Sequence, residues 1–552
     1  MKTNLAKTAI TIGSASVLAF IFSCSGDNGR DDANGTNTDV SSSSSAENGN
    51  FGEESSSSSI QSNFGEKSSS SSIQSNSGEK SSSSSDTLST GTAPTIYMLN
   101  LQPGSNTSEL RFNWYSTAGT TSKVRVFKQN YLVTTGEATA ISGTCSGDYC
   151  GNIGTSHKRH KVAVTGLEPN TEYTYSVSID GTNWTPEYKY KTPPSGAFIF
   201  AATSDIQPDC SSPTDDECEN AKTFWNNIVS RIASANASLI INSGDLANNG
   251  REIEYEVLLS PPKLQEIPFA PVMGNHDHHL SDGNRSFYNF DNHFNLPNRV
   301  GVIQNLENSK YHGNSNYFFL YNRVLFIGLN TSSNTLNTSA NDMREWVAKF
   351  KATLDSAKSV FTPIMYDFIV VMHHKSTTSI SNASNGHPLN GDVKNLVAAG
   401  FQQMMTTYGV DLVFAGHDHI YVRSQIMYND RKSTTDNGNN TGTLYITLKP
   451  GGYTGTYQTT VAGINSTATG YPYLTKITEE TYKSCPSNTA ADYNMSNYLP
   501  ESYACHSNYV KGSPGYTMVE VNGTKMNINV YEYDGSLFET YTLTPTLPKF
   551  AN

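Results

Sequence analysis

The 552-residue chain carries a formal net charge of −12, and 36% of its residues are hydrophobic. Residues 24–91 contain ten Asp and Glu residues against three Lys and Arg residues, so the rest of the chain is nearly neutral for its length. Binding to a nucleic-acid backbone requires a basic stripe, and the sequence has none. The composition therefore gives no indication of a dedicated nucleic-acid surface.

The N-terminus predicts export. Lys2 and Lys7 precede an apolar stretch over residues 9–22, which is too short for a stable membrane span and is typical of a signal peptide. Cys24 follows Ile-Phe-Ser, a sequence that resembles the cleavage box of bacterial lipoproteins. We expect residues 1–23 to be the signal peptide and Cys24 to carry a lipid anchor at the bacterial cell envelope. Ordinary signal cleavage nearby is the alternative.

Residues 24–91 are expected to form a disordered, Ser-rich tether. Four runs of five serines lie in this segment, and a 13-residue unit that begins Asn-Phe-Gly-Glu or Asn-Ser-Gly-Glu recurs. Such a composition buries too little apolar surface to offset the entropy of chain ordering. The tether is interpreted as a flexible spacer between a membrane and the folded part.

Cysteine usage also indicates an oxidising compartment. Six cysteines remain besides Cys24, and they form three local pairs: Cys145 with Cys150, Cys210 with Cys218, and Cys485 with Cys505. Six cysteines allow 15 connectivities, and proximity favours disulfides within these pairs. A zinc site is the alternative, but the chain has no C-x-x-C spacing to support it.

Residues 92–194 predict an all-β sandwich. Short stretches alternate in polarity with a period of two, and turn residues separate them about every ten positions. Residues 166–175 resemble the fibronectin type III signature, with Tyr173 or Tyr175 as its corner tyrosine and Trp114 in the core. The sandwich could bind glycan, but bracing the domain that follows it is the favoured role.

Residues 195–552 predict an α/β domain that ends in a β extension. Helical periodicity appears over residues 219–235, 342–356 and 393–408, and residues 317–329 resemble a hairpin. Five short polar clusters each follow an apolar, strand-like run. They are Asp205-Ile-Gln207, Gly244-Asp-Leu-Ala-Asn248, Gly274-Asn-His-Asp277, Met372-His-His374 and Gly416-His-Asp-His419.

Polar residues at the ends of buried strands are where α/β sheets build their sites. Carboxylates, an amide oxygen and imidazoles together suit two metals of intermediate hardness. In their order and spacing the clusters resemble the calcineurin-like metallophosphoesterase superfamily, which includes purple acid phosphatases. The resemblance implies a multidomain protein: a fibronectin III-like sandwich, then a four-layer α-β-β-α domain. It also implies two metal ions, such as Fe, Zn or Mn.

The resemblance implies a role for each cluster. Asp245 would bridge both metals, Asp205 and His419 would complete one metal's shell, and Asn275, His373 and His417 would bind the other. Gln207 stands where most of the superfamily has a histidine, and it is either an additional oxygen ligand or a polar neighbour. His374 is expected to face away from the metals, since side chains alternate along a strand.

The resemblance also implies catalytic groups. His276 would donate a hydrogen bond or a proton to the leaving oxygen, Asp277 would orient His276, and His387 would reach the substrate. Purple acid phosphatases have a metal-binding tyrosine three residues after the bridging aspartate, where this chain has Asn248. Tyr255 is the nearest tyrosine, in a segment expected to lie away from the strand end. We therefore expect a colourless protein.

The expected activity is hydrolysis of small phosphomonoesters at the cell surface. Two alternatives remain from the sequence. One is a phosphodiesterase acting on nucleotides, nucleic acid or phospholipid head groups, because the same ligands serve both reactions. The other is a non-enzymatic surface-binding protein, against which the intact ligand positions argue. The sequence gives no indication of an oligomeric state.

Overall fold

A computed structural model describes fourteen stretches of the chain, all within one compact unit, Asp86–Asn552. They are residues 93–145, 147–212, 215–277, 279–281, 284–286, 288–301, 315–332, 340–378, 391–419, 421–424, 426–428, 431–432, 442–452 and 514–544. The expected signal peptide, lipid anchor and tether, together with His387, Cys485 and Cys505, lie outside the described residues. Among the helices described, none has both the length and the apolarity that crossing a membrane requires.

Eight strands form the N-terminal sandwich. They are β1 (Tyr97–Pro103), β2 (Leu110–Ser116), β3 (Thr121–Lys128), β4 (Tyr131–Thr139), β5 (Ile141–Thr144), β6 (Ser156–Val164), β7 (Glu172–Ser178) and β8 (Tyr188–Lys191). One sheet has the order β1-β2-β6-β5 and the other β4-β3-β7-β8, and all pairings are antiparallel. Alternate residues face inward, and Trp114 is fully buried between the sheets as expected.

The structure decides between the two candidate corner tyrosines. The Tyr173 hydroxyl accepts a hydrogen bond from the Glu168 amide at 2.8 Å, which is the backbone contact of a tyrosine corner. The Tyr175 hydroxyl instead donates to the carbonyl of Gln265, outside the sandwich, at 2.7 Å. Tyr173 is therefore the corner residue, and Tyr175 joins the sandwich to the following domain.

Two of the three expected disulfides lie in the described residues, and both are formed. Cys145–Cys150 links residue 145 to the 3₁₀ segment Gly147–Ile153, and Cys210–Cys218 links the loop after the strand Phe198–Thr203 to the helix Asp216–Ser234. Closing a loop covalently reduces the entropy of the unfolded chain. Both bonds agree with an oxidising compartment.

The second domain alternates strands and helices. Its first half contains β9 (Phe198–Thr203), α1 (Asp216–Ser234), β10 (Leu239–Asn242), α2 (Glu252–Leu258), β11 (Phe269–Pro271), β12 (His279–Ser281), β13 (Asn284–Ser286), α3 (Tyr288–His293), β14 (Tyr317–Tyr321) and β15 (Val324–Gly328). Its second half contains α4 (Ala340–Val360), β16 (Phe368–Lys375), α5 (Gly391–Ala398), α6 (Phe401–Thr407), β17 (Leu412–Gly416), β18 (Val422–Arg423), β19 (Met427–Tyr428), β20 (Arg431–Lys432), β21 (Leu444–Thr447), β22 (Gly515–Asn522), β23 (Lys525–Glu532) and β24 (Leu537–Leu543). Short 3₁₀ turns occur at Pro262–Gln265 and Pro363–Met365.

The periodic segments are helical as expected, with one difference. The segment predicted as one helix over 393–408 is two helices, α5 and α6. They separate at Gly400, whose φ of +94° lies in the left-handed region that glycine adopts without steric cost. The predicted hairpin over 317–329 is present as β14 and β15.

Two six-stranded sheets pack face to face. The first sheet has the order β11-β10-β9-β22-β23-β24 and the second β14-β15-β16-β17-β21-β18. Phe200 of β9 packs edge-on against Phe326 and Phe414 of the second sheet, with ring centroids 5.2 and 6.4 Å away. Helix α1 buries Trp225 against Phe269 of the first sheet, and α4 packs Phe350 against the second. The expected α-β-β-α layering is therefore present.

The sandwich contacts the segment that follows α3. The side-chain amide of Asn295 donates to the carbonyls of Phe112 and Val162, at 3.3 and 3.1 Å. Lys161 Nζ donates to the Phe294 carbonyl at 2.8 Å, and burial lowers the pKa of this lysine to about 8. These partly buried polar contacts join the sandwich to the second domain.

Candidate metal centre

The candidate ligands lie at the carboxyl ends of neighbouring parallel strands. Asp205, Asp245 and Asn275 follow β9, β10 and β11, which pair in parallel in the first sheet. His374 lies at the end of β16 and His417 directly after β17, parallel neighbours in the second sheet. Carboxyl ends of parallel strands share one edge of a sheet, so the two sheets together bring these side chains to one place.

Sharp backbone turns direct the side chains inward. Asp205 and Asp245 both have a φ of +51°, and His417 and His419 have φ values of +76° and +54°. Non-glycine residues in this region are uncommon, cost energy and cluster at functional sites. Four of the candidate ligands thus have this strained backbone conformation.

These side chains form two groups that share one carboxylate. Ligand atoms of Asp205, Asp245 and His419 all lie within 4.8 Å of one another, and those of Asp245, His374 and His417 do the same. Every member is buried. Asp245 belongs to both groups, which is the position expected of a carboxylate that bridges two cations.

The structure corrects the choice of histidine on β16. His374, and not His373, belongs to the second group, with its Nε2 atom 3.1 Å from Asp245 Oδ2. The His373 ring packs edge-on against Phe401 of α6, with centroids 5.0 Å apart. The prediction that His373 binds metal and His374 faces away is therefore wrong.

The backbone of β16 explains this correction. Val370 and Met372 face the core between the sheets, and Ile369 and Val371 face the helices. Alternation continues, so His374 reaches the site and His373 reaches the helices. Both faces of β16 are apolar, so the sequence contains no signal that distinguishes the two faces.

Hydrogen bonds fix the orientation of the His374 ring. Its Nδ1 atom donates to the carbonyl of Ser243 at 2.8 Å, and Nε2 lies 3.0 Å from Asn275 Oδ1. This arrangement is typical of metal-binding histidines, where a carbonyl holds one ring nitrogen and the other faces the metal. Burial opposes a positive charge on the ring, but neighbouring Asp245 raises the His374 pKa to about 9.

Asp245 is held as a carboxylate. Burial favours its protonated form, but His374 and the backbone amide of His276 lower its pKa well below the usual range. The His276 amide donates to Oδ1 at 2.8 Å, and Gln207 Nε2 donates to Oδ2 at 3.2 Å. The site is therefore arranged around an anionic Asp245.

Gln207 lies beside the shared carboxylate of Asp245, to which its Nε2 atom donates. The residue is 3% exposed, and its Oε1 atom is buried without a hydrogen-bond partner among the described residues. An unsatisfied buried carbonyl oxygen is costly, and a cation would satisfy it. The Oε1 atom is thus a candidate oxygen ligand for a metal at Asp245.

Two positions bear on the expected absence of a tyrosine ligand: Asn248, at the position of the tyrosine in purple acid phosphatases, and Tyr255, the nearest tyrosine. The Asn248 carbonyl accepts a hydrogen bond from His276 Nδ1 at 2.8 Å. Tyr255 is fully buried in α2 and stacks on the His293 ring, 4.3 Å from centroid to centroid. Tyr255 is therefore engaged in the core, in helix α2.

The predicted role of Asp277 is also corrected. Its Oδ1 accepts from the amides of Leu246 and Ala247 at 2.8 and 3.0 Å, and Oδ2 accepts from Gly274 at 2.6 Å. Asp277 thus joins the two loops that carry Asp245 and Asn275, and the Asn248 carbonyl orients the His276 ring. Burial, together with the charge of Asp245, raises the Asp277 pKa well above its usual value.

Glycines allow the loops to approach the ligands. A Cβ atom on Gly274 would lie 2.1 Å from Asp245 Oδ1, and one on Gly416 would lie 2.5 Å from Asp205 Oδ2. The His417 amide donates to both oxygens of Asp205, at 3.0 and 3.1 Å. This hydrogen bond crosses from one sheet to the other, and a side chain at residue 416 would prevent the approach.

Family models match both folded parts of the chain. Residues 198–421 match "Calcineurin-like phosphoesterase" and residues 96–192 match "Purple acid Phosphatase, N-terminal domain". An uncharacterized protein of Mycobacterium tuberculosis is 25% identical over 361 residues, covering 60% of this chain and 63% of its own length. Purple acid phosphatase 21 of Arabidopsis thaliana is 26% identical over 306 residues, covering 54% and 59%. The chain thus spans less than two thirds of these relatives.

Solved structures show the same fold. Purple acid phosphatase PPD1 from yellow lupin (Lupinus luteus) superposes with a TM-score of 0.58 at 16% identity, covering 83% of this chain and 76% of its own. The structure of PhoD has a TM-score of 0.50 at 11% identity, covering 82% and 90%. The chain therefore carries a calcineurin-like metallophosphoesterase domain preceded by a purple acid phosphatase N-terminal domain.

Proposed function

We propose that this protein is an exported phosphatase that hydrolyses small phosphomonoesters with two metal ions. The observation that carries the proposal is the pair of buried ligand groups that share Asp245. A carboxylate common to two cation sites is the feature expected of a binuclear centre, and binuclear centres are the usual means of displacement at phosphorus.

The residues present fit such a centre. Asp205, His419 and Gln207 would hold one ion, and His374, His417 and Asn275 the other, with Asp245 shared. Carboxylate, imidazole and amide donors suit Fe, Zn or Mn. When bound, two such ions activate water and neutralise charge on the phosphoryl oxygens.

His276 is the proposed proton donor to the leaving oxygen. The Asn248 carbonyl accepts a hydrogen bond from Nδ1 and holds the ring in one orientation, and the doubly protonated ring, with hydrogen on Nε2 as well, would be the donor. The backbone amide of the same residue donates to Asp245, which holds the His276 backbone beside the shared carboxylate. Asp277 contributes by holding the two loops together, and His387 remains a proposal for substrate contact.

The proposed location is the bacterial cell surface. The two disulfides support export, and Cys24 with its preceding apolar stretch supports a lipid anchor. Cys24→Ser, expressed with the full leader, is expected to release the protein from membrane fractions. Equal membrane association of the variant and the parent would remove the anchor from the proposal.

A substrate comparison tests the activity. Purified protein loaded with Zn²⁺, Mn²⁺ or Fe³⁺ is assayed on 4-nitrophenyl phosphate and on bis(4-nitrophenyl) phosphate, with bound metal measured in parallel. We expect two metals per chain and faster turnover of the monoester. Faster diester turnover would favour a phosphodiesterase, and metal binding without hydrolysis of either ester would favour a binding protein.

A further inference from the structure

The candidate metal centre depends on the distance between the two sheets. Asp205 and Asp245 come from loops of the first sheet, whereas His374 and His417 come from the second. Each three-residue group contains members from both sheets. A small displacement of one sheet against the other would therefore separate ligands within each group, and apolar packing alone is non-directional.

A buried ion pair joins the edge strands of the two sheets. Arg423 lies on β18 and Glu539 on β24, which are the last strands of the second and first sheets. Nε and Nη2 of Arg423 both donate to Glu539 Oε1, at 3.1 and 2.7 Å. The two residues are only 4% and 7% exposed. The Arg423 guanidinium also stacks over the Tyr541 ring, 4.1 Å from its centroid.

A second pair lies beside the first. Lys449 follows β21, and its Nζ atom lies 3.4 Å from Glu532 Oε2 at the end of β23. The lysine is 1% exposed and lies over the Phe538 ring, 4.1 Å from the centroid. Gly515 makes room for this side chain, because a Cβ there would lie 2.6 Å from Lys449 Cδ.

Both pairs are connected to the ligand loops by short stretches of backbone. Two residues after Lys449, the Gly451 amide donates to the Ser204 carbonyl at 2.6 Å, and Gly452 donates to the carbonyl of Asp205 at 3.1 Å. Arg423 lies four residues after His419 along the chain. Arg423 and Lys449 are thus close in sequence to candidate metal ligands or to residues that contact the ligand loops.

We propose that Glu539 and Glu532, with Arg423 and Lys449, are positioning residues for metal binding. They hold the sheet edges at the separation that the split ligand set requires. A buried ion pair is weak evidence of a gain in stability, because desolvation offsets the attraction, but it does impose a directional geometry. The inference rests on the proposed binuclear centre.

The first experiment measures Zn²⁺ retention by the full chain in competition with a chromophoric chelator, at a temperature where every protein is folded. Glu539→Gln and Glu532→Gln are compared with the parent and with Glu520→Gln. Glu520 lies on β22 of the same sheet, where it contacts Asn527. We expect at least about tenfold weaker binding in the first two variants, as for residues that orient ligands indirectly, and no change in the control.

A second variant separates positioning from stability. In Arg423→Met/Glu539→Leu no charge is left unpaired, so thermal stability should recover. We expect Zn²⁺ binding to stay weak, because the directional contact is gone. Parent-like binding in Glu539→Gln, or recovery of binding together with stability in the double variant, would overturn the inference. A parent that binds no Zn²⁺ would instead contradict the proposed centre itself.

Discussion

The Nε2 atom of His374 lies 3.1 Å from Oδ2 of Asp245, although the two residues come from different sheets. This contact joins a strand end of the second sheet to the turn after β10 in the first. The Ser243 carbonyl holds the other ring nitrogen, so the contact depends on the backbone of both sheets. Asp245 and His374 are two of the three members of the second ligand group, and His417 is the third.

His374→Ala is expected to remove one of the two metals. The activity should fall by about a hundredfold or more, because one of two charge-stabilising ions is lost. His373→Leu is the matched neighbour, since that ring packs against Phe401 outside the ligand groups. Metal content and turnover of both variants are the measurement, and loss of metal from the His373 variant alone would reverse the assignment.

Asp245→Asn is expected to abolish hydrolysis while the fold remains. The amide lacks the charge that both ligand groups share, so turnover should drop below roughly a tenth of the parent rate. Circular dichroism and thermal unfolding check the fold, and metal analysis follows occupancy. A variant that keeps both metals and more than this rate would show that Asp245 does not bridge them.

Gln207→His is expected to increase metal retention. The buried amide oxygen of Gln207 is a weaker ligand than an imidazole for ions of intermediate hardness. Metal loss to a chelator is compared among the parent, the histidine variant and Gln207→Leu, which has no donor. Identical retention in all three proteins would show that Gln207 does not bind metal.

The ferric protein is expected to be colourless. Asn248 replaces the tyrosine that gives purple acid phosphatases their colour, and Tyr255 stacks on His293 within the core. A visible spectrum of iron-loaded protein is the measurement, with the apo-protein as its baseline. An intense charge-transfer band would reveal a tyrosinate ligand.

Acid is expected to destabilise the sandwich through His160. Its ring is buried between the hydroxyls of Ser116 and Ser122, at 2.7 and 2.9 Å, and stacks on Trp114. Burial, with a smaller contribution from Lys158, lowers the His160 pKa from 6.5 to about 4. Between these values the unfolded chain binds the proton and the folded chain does not.

The stabilisation is therefore complete above pH 6.5 and is lost as the pH falls towards 4. The free energy of unfolding should decrease by about 3 kcal/mol over that window. Urea unfolding between pH 4 and 8, with metals removed by a chelator, measures this decrease. His160→Gln should flatten the dependence, and an unchanged slope in that variant would assign the effect to other groups.

The positions of the strands are predictable because each strand end combines two local signals, an apolar run and the polar cluster that follows it. Apolar runs at 198–200, 239–241, 369–372 and 412–414 all lie within β9, β10, β16 and β17. The strand predicted over residues 271–273 is misplaced by two residues, because β11 spans Phe269–Pro271. Strand β11 is the edge strand of its sheet, and the Val272 amide still donates to the Asn242 carbonyl at 2.9 Å, so the contact with β10 ends one residue after Pro271.

The roles of neighbouring residues were less predictable. Asp277 follows His276 in sequence, which suggested a direct contact, but its carboxylate binds three backbone amides of the adjoining loops. Those amides need an acceptor because their loops are buried. No sequence pattern indicates which buried amides lack a partner within their own loop.

The sequence by itself determined the domain types, the two described disulfides and the strand ends where the ligands lie, because all of these depend on local composition and spacing. Tertiary structure alone decided that His374 rather than His373 faces Asp245. Strand β16 is covered on both faces, by the other sheet and by helices, so its apolar pattern is uniform. Tertiary structure also decided that Arg423 meets Glu539, 116 residues away, because both are edge residues of different sheets.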